Sequence, residues 1–268
     1  MNDYDEFTER QRREIAYHSQ RAATVRKVRR VVSYEVLENP RRRWWNHYWA
    51  AYSLVVDLKM DGKSVLVPGC GEGLDAIRIN KLGAEVYAFD ISPDMLRVAE
   101  KRAAEEKTTV GFRQMACEHL SYASNTFDLI FVHDILHHCE LTRSLSEFIR
   151  VAKPGAFLVI DELYTHRILQ RIRESRFGCW LQPKVVPYIY GNSDAYITQD
   201  ERKLNDADLS AIQKTLTRGR CTYFNMVVGR FVPSWDAVAK LDRVLLRLLG
   251  PTGYVFGGRF ILTGCVRK

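Results

Sequence analysis

Between Val65 and Asp90 the chain reads VLVPGCGEGLDAIRINKLGAEVYAFD, and no other stretch narrows the choice of fold as far. A short apolar run at 65–67 meets glycines at three alternate positions, Gly69, Gly71 and Gly73. A helical segment follows, then a second apolar run that ends on an acid, Asp90. The order is strand, glycine turn, helix, and strand with a carboxylate at its tip. Glycines let a backbone approach a ligand closely, and a carboxylate about 20 residues on can grip a ribose diol. Such a unit is the floor of a nucleoside site.

The rhythm continues downstream. Gly83 ends the helix that begins at Leu74, and Ser92-Pro93-Asp94 opens the next with an N-cap and a first-turn proline. Strands are expected at 110–114, 127–132 and 157–160, with a helix capped by Thr142 running to the Lys153-Pro154-Gly155 turn. Strict alternation implies a parallel, doubly wound α/β sheet. Upstream, 5–38 reads as one or two helices, Asn39-Pro40 breaks the pattern, and 45–58 reads as another helix. The rhythm breaks after residue 162. The expected organisation is a helical N-terminal cap (1–60), a core (61–162), a cap or substrate insertion (163–218) and a closing segment (219–268). That last segment holds strands at 222–228 and 260–266 around a helix at 235–249.

A chain of 268 residues suffices for one such domain with insertions. No apolar run approaches the ~20 residues that span a bilayer. The charged N-terminus does not read as a secretory signal. Six scattered cysteines without a C-x-x-C pair read as reduced thiols, which places the chain in the cytoplasm. The net charge is +8, and residues 10–43 hold eleven Arg or Lys against three Glu. That run reads either as a solvated helix face or as a patch for RNA, a phosphorylated substrate or a membrane surface.

The glycine turn decides between nucleoside cofactors. Dinucleotide sites need G-x-G-x-x-G, whereas here Leu74 follows Gly73 directly. The turn instead resembles the first motif of the class I S-adenosylmethionine-dependent methyltransferases. Four further blocks continue the resemblance in order: AFDISPDML, MACEHLSYASNTFDLIF, DILHHCE and RVAKPGAFLVIDE. Together they cover about 63–162. The resemblance implies a Rossmann-like, mostly parallel seven-stranded sheet with a closing antiparallel strand, and S-adenosyl-L-methionine as cofactor.

Site residues follow from the same resemblance. Pro68, Gly69, Cys70, Gly71 and Gly73 would form the cofactor turn, and Asp90 would accept from the ribose hydroxyls. Ile91 and Met95 would flank the adenine. Ala116 stands where relatives often carry Asp, leaving the backbone of Cys117 and the Glu118 side chain to read the base. The family's strand-one acid is replaced by Val67-Pro68, so the ammonium end would fall to Asp75, Glu72 or a carbonyl near His133. Cys70 and Cys117 read as packing residues.

Methyl transfer needs an oriented nucleophile and, for many acceptors, a base. Candidates at the carboxyl ends of strands four and five are His133, Asp134, His137, His138, Glu162, Tyr164 and His166. His133, Asp134 and His137 are metal-ligand types, but the expected reaction needs no metal and no second cluster accompanies them. Tyr17, Trp44, Trp45 and Tyr48 could lid the cofactor or belong to the core. Arg167, Arg171, Arg173 and Arg176 could clamp an anion or form an exposed face.

The favoured expectation is methyl transfer to an oxygen or nitrogen of a small-molecule acceptor, whether natural product, sugar or lipid-like. An RNA or other macromolecular acceptor is the second reading. It is weakened because HDIL replaces the acid-or-Asn, Pro-Pro and aromatic pattern typical after strand four of enzymes that methylate nucleobase amines. A non-catalytic cofactor-binding partner protein is a third reading and a nicotinamide oxidoreductase a fourth. The oligomeric state is not legible.

Overall fold

The computed structural model describes residues 7–27, 31–176, 178–180, 202–226 and 235–268. Seven strands form one sheet in the order β3-β2-β1-β4-β5-β7-β6. These are β1 (Ser64–Pro68), β2 (Glu85–Asp90), β3 (Val110–Gln114), β4 (Phe127–His133), β5 (Ala152–Leu163), β6 (Leu216–Phe224) and β7 (Arg259–Val266). Strand β7 runs antiparallel to both its neighbours; the pairings among β1 to β5 are all parallel. The strand order reverses at β1 and β4, which is where open α/β sheets bind ligands.

Alternation along each strand sorts its side chains onto two faces. Leu66, Ile130, Val132, Leu158 and Ile160 pack on one face with helix α6 (Leu141–Val151). Val65, Val67, Leu129, Phe131 and Val159 pack on the other with α3 (His47–Asp57) and α4 (Leu74–Asn80). Burial on both sides is why these strands read as unbroken apolar runs.

Helix α1 (Glu9–Lys27) lies against α5 (Pro93–Glu105) through Ala22, Val25, Met95 and Val98. A short α2 (Glu35–Glu38) precedes the 3-10 turn Pro40–Arg42, whose N-cap is Asn39. Several arginines of the basic segment are paired with acids: Arg26 with Asp94, Arg42 with Asp236 and Arg43 with Asp57. This favours the solvated-face reading of that run; its residues 28–30 lie outside the described ones.

Local expectations needed revision in four places. Ser92 does cap α5, but Glu140, not Thr142, caps α6, accepting from the N–H groups of Thr142 and Arg143. Strand β5 starts at Ala152, so the Lys153-Pro154-Gly155 turn belongs to it and not to the helix. Strand β6 starts at Leu216, so a boundary at 218/219 cuts through it. Its preceding helix α8 (Asp206–Lys214) buries Leu209 and Ile212 in the sheet's own core, so this part is no cap. Of the expected insertion, α7 (Arg167–Glu174) is described and buries no residue, whereas 181–201 lie outside the described residues. The same holds for the expected strand positions 227–228. Beyond β6 come α9 (Asp236–Leu248) and α10 (Gly253–Phe256).

Candidate functional site

The loops after β1, β2 and β4, together with α1, wall a cavity of about 460 Å³, within the ~300–1,000 Å³ usual for small-molecule sites. The glycine turn is its floor. Gly69, Gly71 and Gly73 have φ of 58°, 49° and 79°. A Cβ at Gly69 would come within 2.5 Å of the Ile135 side chain, and one at Gly73 within 2.8 Å of Ala99 Cβ. Either would push the post-β4 loop or α5 away from the turn.

Asp90, at the tip of β2, is buried in the cavity wall. Its Oδ2 accepts from Gly71 N–H at 2.8 Å and its Oδ1 from Ser92 N–H at 2.9 Å. Burial raises its pKa, opposed by these N–H donors and by the nearby His18 imidazole. A carboxylate accepts about four hydrogen bonds, so Asp90 has capacity for a ribose diol. Ile91, Met95, Ala116, Cys117 and Glu118 line the adjoining wall. Pro68 and Gly73 do not line the cavity; they support the turn from behind. Burial raises the Cys70 thiol well above its usual range, and a hydrogen bond to Cys139, then burial, does so for Cys117. Both therefore stay protonated and pack.

The Glu118 carboxylate is already engaged. It takes Arg10 Nη2 at 2.5 Å and Gln11 Nε2 at 3.0 Å, both from α1, and the Glu140 N–H at 2.8 Å. It clasps α1 over the cavity.

On the opposite wall the side chains form one charged network. Asp75, in the first turn of α4, accepts from the Tyr52 hydroxyl and meets His133 Nδ1 at 2.8 Å. His133 Nε2 lies 3.5 Å from Asp134 and 3.8 Å from Asp161. Burial alone would lower the His133 pKa, but the three carboxylates outweigh it and hold it at about 10. The three carboxylates thus favour the imidazolium form of His133, which suits it to the role of a cation better than to that of the general base expected of it. Asp161 meets His47 Nδ1 at 2.7 Å and Arg259, which also pairs with Asp134. Burial works to raise Asp161; Arg259 and the two histidines hold it well below the usual carboxylate range.

Glu162 is no substrate contact. Its Oε1 accepts from the Ile135 and Leu136 N–H groups at 2.6 and 2.5 Å, and its Oε2 takes His137 Nδ1 at 2.8 Å. It fastens the Leu-His-His turn. Tyr164 is fully buried beside Tyr223 and Phe260, off the cavity wall, and His166 caps α7. His137 and His138 do line the cavity, their rings 4.2 Å apart. Asp134, His137 and Glu162 bring donor atoms within 4.8 Å of one another. Those donors already serve Arg259 and the turn, so the cluster reads as a hydrogen-bond node.

Of the expected aromatic lid only Tyr48 lines the cavity; Trp44 is exposed. The lid is α1, through Arg10, Gln11, Glu14, His18 and Arg21. Glu14 Oε2 lies 3.3 Å from His138 and 3.6 Å from His18. Arg10 and Arg21 belong to the basic run read from the sequence, but Gln11, Glu14 and His18 were not singled out there. The signal was present as polar residues at 11, 14, 18 and 21, a helical spacing. Arg167, Arg171, Arg173 and Arg176 lie away from the cavity, and Arg167 pairs with Asp206.

This fold, with a glycine turn and an acid at the tip of β2, defines a nucleoside-cofactor protein of the doubly wound class. A family described as a methyltransferase domain matches residues 66–160. A demethylmenaquinone methyltransferase from Thermobifida fusca is 32% identical over 166 residues, 60% of this chain and 68% of that protein. A ubiquinone biosynthesis O-methyltransferase from Xanthomonas oryzae pv. oryzae is 32% identical over 108 residues, 40% of this chain and 45% of that one. The chain thus spans less than half the length of some curated relatives it matches. The crystal structure of magnesium protoporphyrin IX methyltransferase from Synechocystis PCC 6803 with bound SAH has the same fold. Its TM-score is 0.56 at 16% identity, covering 97% of this chain and 100% of that one. The chain belongs to the S-adenosylmethionine-dependent methyltransferase family.

Proposed function

We propose that the chain transfers a methyl group from S-adenosylmethionine to an oxygen or nitrogen of a small-molecule acceptor, by in-line displacement. The roof formed by α1 carries this reading. Gln11 and Glu14, only 8% and 4% exposed, roof part of the cavity, and this partial cover supports a small acceptor over a polymer. Relatives named for menaquinone and ubiquinone steps support a small acceptor.

The sulfonium of the bound cofactor makes its methyl carbon electrophilic. The chain's residues supply the rest. Asp90 would hold the ribose, with Ile91 and Met95 beside the adenine. Asp75 and the His133 imidazolium present a carboxylate and a cation near the turn, suited to the ammonium and carboxylate of the cofactor's amino-acid end. They replace the acid absent from β1. Glu162 accepts from His137 Nδ1, so that nitrogen carries the proton and Nε2 is the basic one. We assign His137 as the group that takes a proton from the acceptor, with Glu162 as its positioning residue.

Two measurements test this. Calorimetry should show binding of S-adenosylmethionine and none of NAD(P). Release of S-adenosylhomocysteine should depend on added phenols, amines or small-molecule extracts. Binding of NAD(P) alone, or release supported only by RNA, would overturn the proposal.

A further inference from the structure

Among the described residues, none packs against one outward face of helix α9. The helix buries Ala239, Asp242 and Leu246. On the far side Leu241, Val244 and Leu248 are 56%, 42% and 78% exposed. Their spacing of three and four residues makes them one ridge. Lys240 and Arg247 flank the ridge on one side, both exposed. Beyond this basic stripe lies the 40–45 segment, whose Trp44 is 58% exposed. The two pieces are fastened together: Arg243 donates to the Trp44 carbonyl at 3.0 Å, and Lys240 lies over the Trp45 ring at 5.5 Å. The acid on this side of α9, Asp236, is already paired with Arg42.

We infer that this face docks the protein on an anionic membrane surface, with α9 lying in the interface plane. An apolar ridge bordered by cations, with a tryptophan at the rim, is the pattern that partitions into the headgroup boundary. The cations meet lipid phosphates while the leucines enter the acyl region. RNA would satisfy the cations but gain nothing from three aliphatic side chains. A second copy packed ridge to ridge would bring like cations together. The docking also has a direction. Phe224 and Leu163 both pair with Arg259, so the segment carrying α9 joins strand ends at the carboxyl edge of the sheet. That is the edge that holds the cavity. This inference stands independently of the methyl-transfer proposal.

The test is co-sedimentation of the whole chain with phosphatidylcholine vesicles, with and without phosphatidylglycerol. Binding is expected to the mixed vesicles, to be weaker on phosphatidylcholine alone, and to fall with salt. Leu248→Asp and Arg247→Glu should each reduce it about tenfold, with thermal melting and cofactor affinity unchanged, since neither side chain is buried. The inference is overturned if the wild-type chain stays in the supernatant with both vesicles. It also fails if Leu248→Asp binds as the parent does, or if the same variants abolish self-association or RNA binding while vesicle binding is absent.

Discussion

The two halves of the cavity are built on different principles. The cofactor half, from Gly69 to Asp90, is made by backbone: positive-φ glycines, N–H groups aimed at one carboxylate, and a helix start. The half after β4 is made by side chains that meet across the chain. His47 and Asp161 are 114 residues apart, and Arg259 and Asp134 are 125 apart. A backbone site tolerates loss of individual side chains but depends on its one carboxylate. A buried charge network fails when any partner is removed. The two halves should therefore break differently.

The largest effect is expected at Arg259. Replacing it with Met leaves Asp161 and Asp134 without their main cation, and loss of one member of a buried ion network costs about 3–5 kcal/mol. Urea unfolding measures it. A loss below about 1 kcal/mol, on the scale of an exposed pair, would show that the network is solvated.

In the cofactor half, Asp90→Ala strands the Gly71 and Ser92 N–H groups and should cost about 1–3 kcal/mol of stability. Its main effect should be to weaken S-adenosylmethionine binding about a hundredfold, the scale of two charge-assisted hydrogen bonds. Calorimetry decides it, and unchanged affinity would remove the ribose role. The contrast between the two variants, one lost chiefly in stability and the other chiefly in affinity, is the comparison in measurable form.

Next comes the pH dependence of the network. His133 has a folded pKa of about 10 against 6.5 for the free side chain. Its contribution is complete below the lower value and is lost as pH rises through the upper one. At up to one proton per molecule, unfolding free energy should fall by about 2 kcal/mol between roughly pH 7.5 and 9. His133→Gln should flatten that slope. An equally steep slope in the variant would assign it to another group.

Legibility followed the same division. The glycine turn and the acid at the tip of β2 could be read because each depends on neighbours in sequence. The parallel sheet followed from the alternation of strands and helices, and its closing antiparallel strand from the family resemblance, whereas the order of the strands came from the structure. The roles of Glu162 and His133 could not be read, because they are set by partners brought in by the fold. Glu162 stands at the end of β5, where substrate contacts are common, but the Ile135 and Leu136 N–H groups occupy its carboxylate. A histidine at the end of β4 reads as a base in sequence, but the fold surrounds His133 with Asp75 and Asp161. Tyr164 sits just after β5, where ligand contacts are common, but it turns into the core beside Phe260. The role of helix α1 was hidden by its composition, since the face it turns to the cavity is polar and charged, as a solvated face would be.

The smallest effect tests where the two halves meet. Helix α1 is held over the cofactor half by Arg10 and Gln11 on Glu118, and touches the other half through Glu14 and His138. Arg10 is partly exposed, with 27% of its side chain accessible, so its pair is worth about 1 kcal/mol or less after solvent screening. If α1 must lift for the cofactor to leave, Arg10→Ala should speed product release about threefold to fivefold, within that energy. Raised salt should do the same to the parent but not to the variant. Stopped-flow displacement of bound S-adenosylhomocysteine reads both rates. Equal rates in parent and variant would mean that the cofactor leaves by a path that does not move α1. The clasp on Glu118 would then be part of the wall rather than a latch.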